Sequence, residues 1–217
     1  MSAIRSHSAG QLNRGHLLRH GMRLEYFTIG YNALEGLVAV GAGIVAGSVA
    51  LVGFGLDSVI EIAAASALLW RLKHEREAGP DISEEEHSTL ERRALYIVGI
   101  TFFALAAYIL AEACYKLISG NEAEESTVGI IVAAASLIIM PALALLKKRT
   151  ALALGSRALA ADAVETWMCS YLSLMLLAGL VMNAAFGWGW ADSIAALAML
   201  PLIIKEGREA LGEAREQ

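Results

Sequence analysis

Read as a pattern of apolar and polar positions, the chain falls into six long apolar runs, near 24–46, 49–70, 94–117, 128–146, 157–181 and 188–204. Each is long enough to approach the roughly 20 helical residues that cross a hydrocarbon layer of about 30 Å. The pattern predicts an all-α membrane protein of six transmembrane helices. A polar segment at 1–23 precedes the bundle of 24–204, and a short charged segment, 205–217, follows it. The joint between the first two runs is little more than Gly47-Ser48, so those helices should form a tight antiparallel hairpin. The one sizeable polar loop, 71–93, is interrupted at Gly79-Pro80 and could be helical at both ends.

Composition agrees with lipid as the solvent: 57% of residues are hydrophobic, 18% are charged and the mean hydropathy is +0.55. Charge adds orientation. Sixteen of the 17 Lys and Arg fall in 1–23, 71–93, 147–157 and after 204, and only Lys116 lies on the other side. Positive residues near span ends resist translocation, so both termini are expected in the cytoplasm. The first 23 residues lack the apolar core and cleavage site of a secretory signal. A multi-pass protein of a bacterial cytoplasmic membrane is expected. Cys114 and Cys169 belong to different helices at different depths, which argues against a disulfide framework.

The pattern is broken in a few places by acids. Asp57 and Glu61 stand four apart in the second run, and Glu165 stands four before Cys169 in the fifth. A short repeat relates the two. Ser48-Val49-Ala50-Leu51 recurs as Ser156-Arg157-Ala158-Leu159, and sliding one onto the other sets Asp57 on Glu165 and Glu61 on Cys169. The copies run in opposite directions, as in an inverted-topology repeat with its site near the midplane. A rise of about 1.5 Å per residue puts Asp57 and Glu61 roughly 14 and 20 Å below one surface. The same rise puts Glu165 and Cys169 roughly 12 and 18 Å above the other. All four therefore reach the middle of the bilayer, each pair on one helix face.

Charges at that depth cost about 2.5–3.5 kcal/mol each and need a partner. With no Lys or Arg within the six runs at that depth, a divalent cation is one such partner; protonated acids hydrogen-bonded to neighbouring helices are another. Carboxylate oxygens with a thiolate suit zinc or cadmium better than magnesium or calcium. Because metal ligands must lose their protons to bind, one site could carry metal one way and protons the other.

These residues carry a resemblance. Asp57-x-x-x-Glu61, the acid four before Cys169, Ser48-x-Ala50-Leu51 and Trp190-Ala191-Asp192 together resemble the cation diffusion facilitators. The resemblance implies a dimeric, proton-coupled exporter of divalent metal, with the site where spans two and five meet. It implies Asp57, Glu61, Glu165 and Cys169 as metal ligands, with Zn(2+) or Cd(2+) as cargo and no resident cofactor. Glu61, Glu165 and Cys169 depart from the His and Asp usual in that family, so ligand positions carry over and metal preference does not. The family's cytoplasmic C-terminal metal-binding domain is expected to be missing, leaving any homodimer to membrane helices and short loops.

Other residues were candidates on their own. Glu35, near the middle of span one, is either an extra ligand or proton carrier, or a packing residue. Asp162, one turn before Glu165, could line the inner mouth or be an additional metal or proton site. Glu112 and Asp192 read as interfacial acids or a cation-attracting vestibule. His74 and His87, among Glu84, Glu85 and Glu86, could form a cytoplasmic loop site, though solvated charge is the plainer reading; His7, His16 and His20 carry less weight. Ala39, Gly43 and Gly47 form a small-residue packing stripe. No phosphate loop, Ser-His-Asp set or nucleic-acid surface stands out, so neither an enzyme nor a nucleic-acid partner is expected. A proton-coupled carrier of a small organic cation and a non-transporting membrane scaffold are the competing functions.

Overall fold

A computed structural model describes residues 2–78 and 84–216. Six helices run through them: α1 (Ser2–Ala46), α2 (Val49–Ala78), α3 (Glu84–Ser119), α4 (Thr127–Leu154), α5 (Arg157–Phe186) and α6 (Trp190–Glu216). Five have stretches long and apolar enough to span a membrane. In α6 the apolar part is confined between Asp192 and Lys205, which leaves it the least hydrophobic of the six by that measure. The 71–93 loop is helical on both sides of 79–83. Residues 2–23, read as a tail, instead continue α1, and His20 Nδ1 lies 3.1 Å from the Thr150 hydroxyl of α4.

The distribution of side chains is that of a bundle in lipid. Leu37, Val45 and Ile118 are 77%, 84% and 87% exposed, while Glu25 and Asn32 are fully buried. Apolar residues face outward because lipid does not penalise them, and polar groups turn inward where other helices satisfy them.

Hairpins at opposite ends set the topology. Gly47 and Gly155 both adopt left-handed backbone, with φ of +60° and +67°, and each is followed by a serine. Ser48 Oγ accepts from Leu51 N at 3.0 Å, and Ser156 Oγ accepts from Leu159 N at 3.3 Å. The repeated Ser-x-Ala-Leu is thus a repeated helix N-cap, in which the hydroxyl satisfies one of the orphan amides of the first turn. It starts α2 at one end of the bundle and α5 at the other. At the end carrying the chain termini, Leu18, Met22, Leu72, Leu154 and Leu159 form a small apolar cluster. A larger core fills the rest of the bundle.

The α1–α2 hairpin is held almost backbone to backbone. A Cβ on Gly43 would meet Val52 N at 2.8 Å, and one on Gly55 would meet Val40 N at 2.8 Å. Gly43 and Ala39 pack as the stripe predicts, but Gly47 belongs to the turn, and Gly55 of α2 supplies the matching gap.

Asp192 departs from its reading as a vestibule acid. It is buried, at 1% exposed, and accepts from Ser48 Oγ at 2.5 Å and Val49 N at 2.7 Å, with Ala50 N at 3.4 Å. An acid of α6 therefore caps α2, where the free amides and the helix dipole favour negative charge. Asp192→Ala is expected to lower stability by about 1–3 kcal/mol, seen as earlier thermal unfolding in detergent, with Asp192→Asn losing less. A melting curve unchanged by alanine would remove this cap from the account.

A candidate metal centre between helices 2 and 5

The N-cap at Ser48 fixes where α2 begins, and two turns later the helix presents Asp57 and then Glu61 on one face. The N-cap at Ser156 does the same for α5, which presents Glu165 and Cys169. Asp57, Glu61 and Cys169 are all buried, at 4%, 7% and 1% exposed. One ligand atom from each lies within 4.8 Å of the others. In a tetrahedral site with bonds of about 2.0–2.3 Å, neighbouring ligand atoms sit roughly 3.4 Å apart, so a modest contraction of this cluster would enclose an ion.

Of the four residues predicted together, three thus converge. Glu165 is one turn from Cys169, toward the end carrying the termini, and lines the same pocket without joining the three-residue cluster. Phe102, Leu172, Leu202 and Ile203 supply its apolar wall. The pocket has one acid that the sequence reading passed over, Glu206 of α6. Its signal was present: Met199 and Ile203 mark the buried face of α6, and Glu206 continues that face. Its place after Lys205, past the end of the last apolar run at 204, hid that signal.

The helix α1 adds a polar stripe. Glu25, Thr28, Asn32 and Glu35 recur at helical spacing and are all buried. Asn32 Nδ2 donates to Glu61 Oε2 at 2.6 Å. The Ser58 hydroxyl lies 3.1 Å from Glu35 Oε2, placing Glu35 beside α2 one turn from Asn32 and outside the three-residue cluster. Tyr31 and Ser136 flank it.

Glu25 meets a cation. Lys147 Nζ lies 3.2 Å from Glu25 Oε2 and 2.6 Å from Asp162 Oδ2, with the lysine and glutamate side chains fully buried and the aspartate 11% exposed. Asp162, weighed as a metal contact, is placed in this ion pair. Lys147, just past the fourth apolar run and outside the expectation of no Lys or Arg at mid-depth, is buried nonetheless, because α4 continues to Leu154 and carries it between Glu25 and Asp162. The lysine's ion pairs are with Glu25 and Asp162 and do not take up the cluster around Asp57.

In the polar loop, His74 stacks on Trp70 with ring centroids 5.8 Å apart. The His87 side chain lies outside the described residues.

Residues 27–216 match the family model described as the cation efflux transmembrane domain. An uncharacterized transporter of Synechocystis sp. is 27% identical over 176 residues, covering 80% of this chain and 56% of that protein. The cation-efflux pump FieF of Shewanella oneidensis is 31% identical over 101 residues, covering 43% of this chain and 34% of the pump. The chain spans about half the length of the first relative and a third of the second.

Proposed function

Starting from the premise that this chain belongs to the cation efflux transmembrane family, we propose that it exports zinc-like divalent cations, zinc or cadmium, in exchange for protons. The observation that carries the reading is the convergence of two carboxylates and a thiol, from helices of opposite direction, to within 4.8 Å in a buried pocket. Two hard oxygens and a soft sulfur favour a borderline or soft ion over magnesium or calcium.

The surroundings suggest how the ion would travel. On the side of the cluster away from the termini, Leu51, Phe54, Ile109, Leu176 and Leu180 are buried to 1% exposure or less and close the space between helices. On the other side, Glu165 and Glu206 line the pocket. In this conformation an ion approaches from the acidic side, reaches Asp57, Glu61 and Cys169, and is barred by the apolar layer. Alternating access would part that layer and draw the acidic side together. Protons enter the cycle because the ligands bind metal only in their deprotonated forms. The same competition makes apparent metal affinity rise with pH.

The test is zinc flux into proteoliposomes under an imposed pH gradient, with a pH dye reporting the counterflow. Zinc and cadmium should each move protons in the opposite direction, and collapsing the gradient should slow zinc uptake. Metal flux without proton movement would remove the exchange. An absence of metal flux, with gradient-driven uptake of a small organic cation in its place, would overturn the cargo.

A further inference from the structure

We propose that Asn32 is a positioning residue of the metal site, holding Glu61 to one-oxygen coordination and thereby setting both affinity and metal choice. The inference rests on the proposed export reading and adds to it a residue from a third helix.

Asn32 is fully buried on α1, and its amide donates to Glu61 Oε2 across only 2.6 Å. A turn further along α1, a Cβ on Gly36 would come within 3.1 Å of Gly55 O, so α1 and α2 run close together beside this contact. With one carboxylate oxygen engaged, the direction of the other is fixed.

The chemistry of the donor matters as much as its place. A lysine in that position would orient Glu61 and also cancel its charge, as Lys147 does for Glu25 and Asp162. An amide orients the carboxylate and leaves its charge available to a cation. Asn32 also keeps its Oδ1 buried without a hydrogen-bond partner among the described residues.

Metal choice follows from the engaged oxygen. Zinc accepts four ligands with one-oxygen carboxylates, whereas oxygen-seeking ions such as manganese favour octahedral, oxygen-rich coordination in which a carboxylate can give both oxygens. An amide that occupies Glu61 Oε2 opposes the second mode. Releasing it should weaken zinc and cadmium while sparing manganese.

The experiment is a metal titration of the full chain in detergent, in a Cys114→Ser background so that the cadmium–thiolate absorption reports Cys169 alone, with zinc and manganese as competitors. Asn32→Leu keeps the volume and removes the donor; Asn32→Gln restores an amide. The leucine variant should bind cadmium and zinc about 10–100-fold more weakly, the usual range for losing an outer-layer ligand partner. The manganese midpoint should stay within about threefold, so the zinc-to-manganese ratio collapses by about tenfold or more. Glutamine should recover part of the ratio. A ratio unchanged in Asn32→Leu, with the native chain binding cadmium, would overturn this inference alone. No cadmium–thiolate band in the native chain, or a band that survives Cys169→Ser, would overturn the parent reading and this one with it. Gel filtration identifies a misfolded leucine variant, in which case Asn32→Ser decides: a zinc-to-manganese ratio below the native value supports the proposal, and an unchanged one overturns it.

Discussion

Asp57→Ala is expected to stop metal flux, lowering the initial rate of zinc uptake into proteoliposomes by more than the roughly 10–100-fold that loss of an outer-layer partner produces. Asp57 is one of three groups whose ligand atoms share a space of 4.8 Å, and its removal leaves Glu61 and Cys169 to hold the ion with Glu165 a turn away. Two ligands do not enclose a tetrahedral ion, and water must fill the remainder at a place walled by Phe102, Leu172 and Ile203. The substitution should not unfold the bundle. It removes an acid whose burial at membrane depth is itself unfavourable by about 2.5–3.5 kcal/mol, so a normal gel-filtration profile with no flux is the expected pair of results. Cys169→Ser should act differently, preserving a measurable zinc rate while depressing cadmium more strongly, because a hydroxyl replaces the soft ligand. Zinc rates within twofold of native in Asp57→Ala would exclude the site.

The second large effect concerns stability. Lys147→Met is expected to destabilise the bundle by about 3–5 kcal/mol, the range for removing one partner from a buried ion pair. Lys147 is fully buried and faces Glu25 at 3.2 Å and Asp162 at 2.6 Å, so methionine fills a similar volume and leaves two acids without their cation. The measurement is thermal or denaturant unfolding in detergent. Adding Glu25→Gln and Asp162→Asn to Lys147→Met should recover most of the loss, since replacing a whole buried ionic group is often close to neutral. If the single variant melted like the native chain, the lysine would have no part in joining α1, α4 and α5.

Much of this architecture could be read from the chain because lipid imposes a coarse rule: the apolar runs had to be helices, and Gly47-Ser48 had to be a turn between the first two. Asp57, Glu61 and Cys169 were legible for the same reason, as chemically active groups interrupting runs that have to exclude water. The parts that escaped are those for which depth does not follow from hydropathy. Lys147 sits among Lys148 and Arg149 in a group that reads as a surface anchor. It is buried because α1 passes that end of α4, with Glu25 against Lys147 and His20 against Thr150, and Asp162 of α5 closes the other side. Asn32 is uncharged and gave no signal of its own; only its spacing from Glu25, Thr28 and Glu35 would have marked the stripe. Glu206 and Asp192 lie at the two ends of the last apolar run, where an acid is unremarkable until the neighbouring helix is known to end or open beside it.

In the proposed transport cycle, the attachment of Asp192 to the first residues of α2 would make that helix a lever with its pivot at Val49. At a rise of about 1.5 Å per residue, Asp57 stands about 12 Å from the pivot, Glu61 about 18 Å and Ala78 about 44 Å. A swing that carries the far tip about 5 Å sideways would therefore shift Asp57 by only about 1.4 Å and Glu61 by about 2 Å. Metal–ligand distances hold to within about 0.2 Å, so in the proposed cycle an excursion that small at mid-length would suffice to release the ion while the attachment at Asp192 stays fastened.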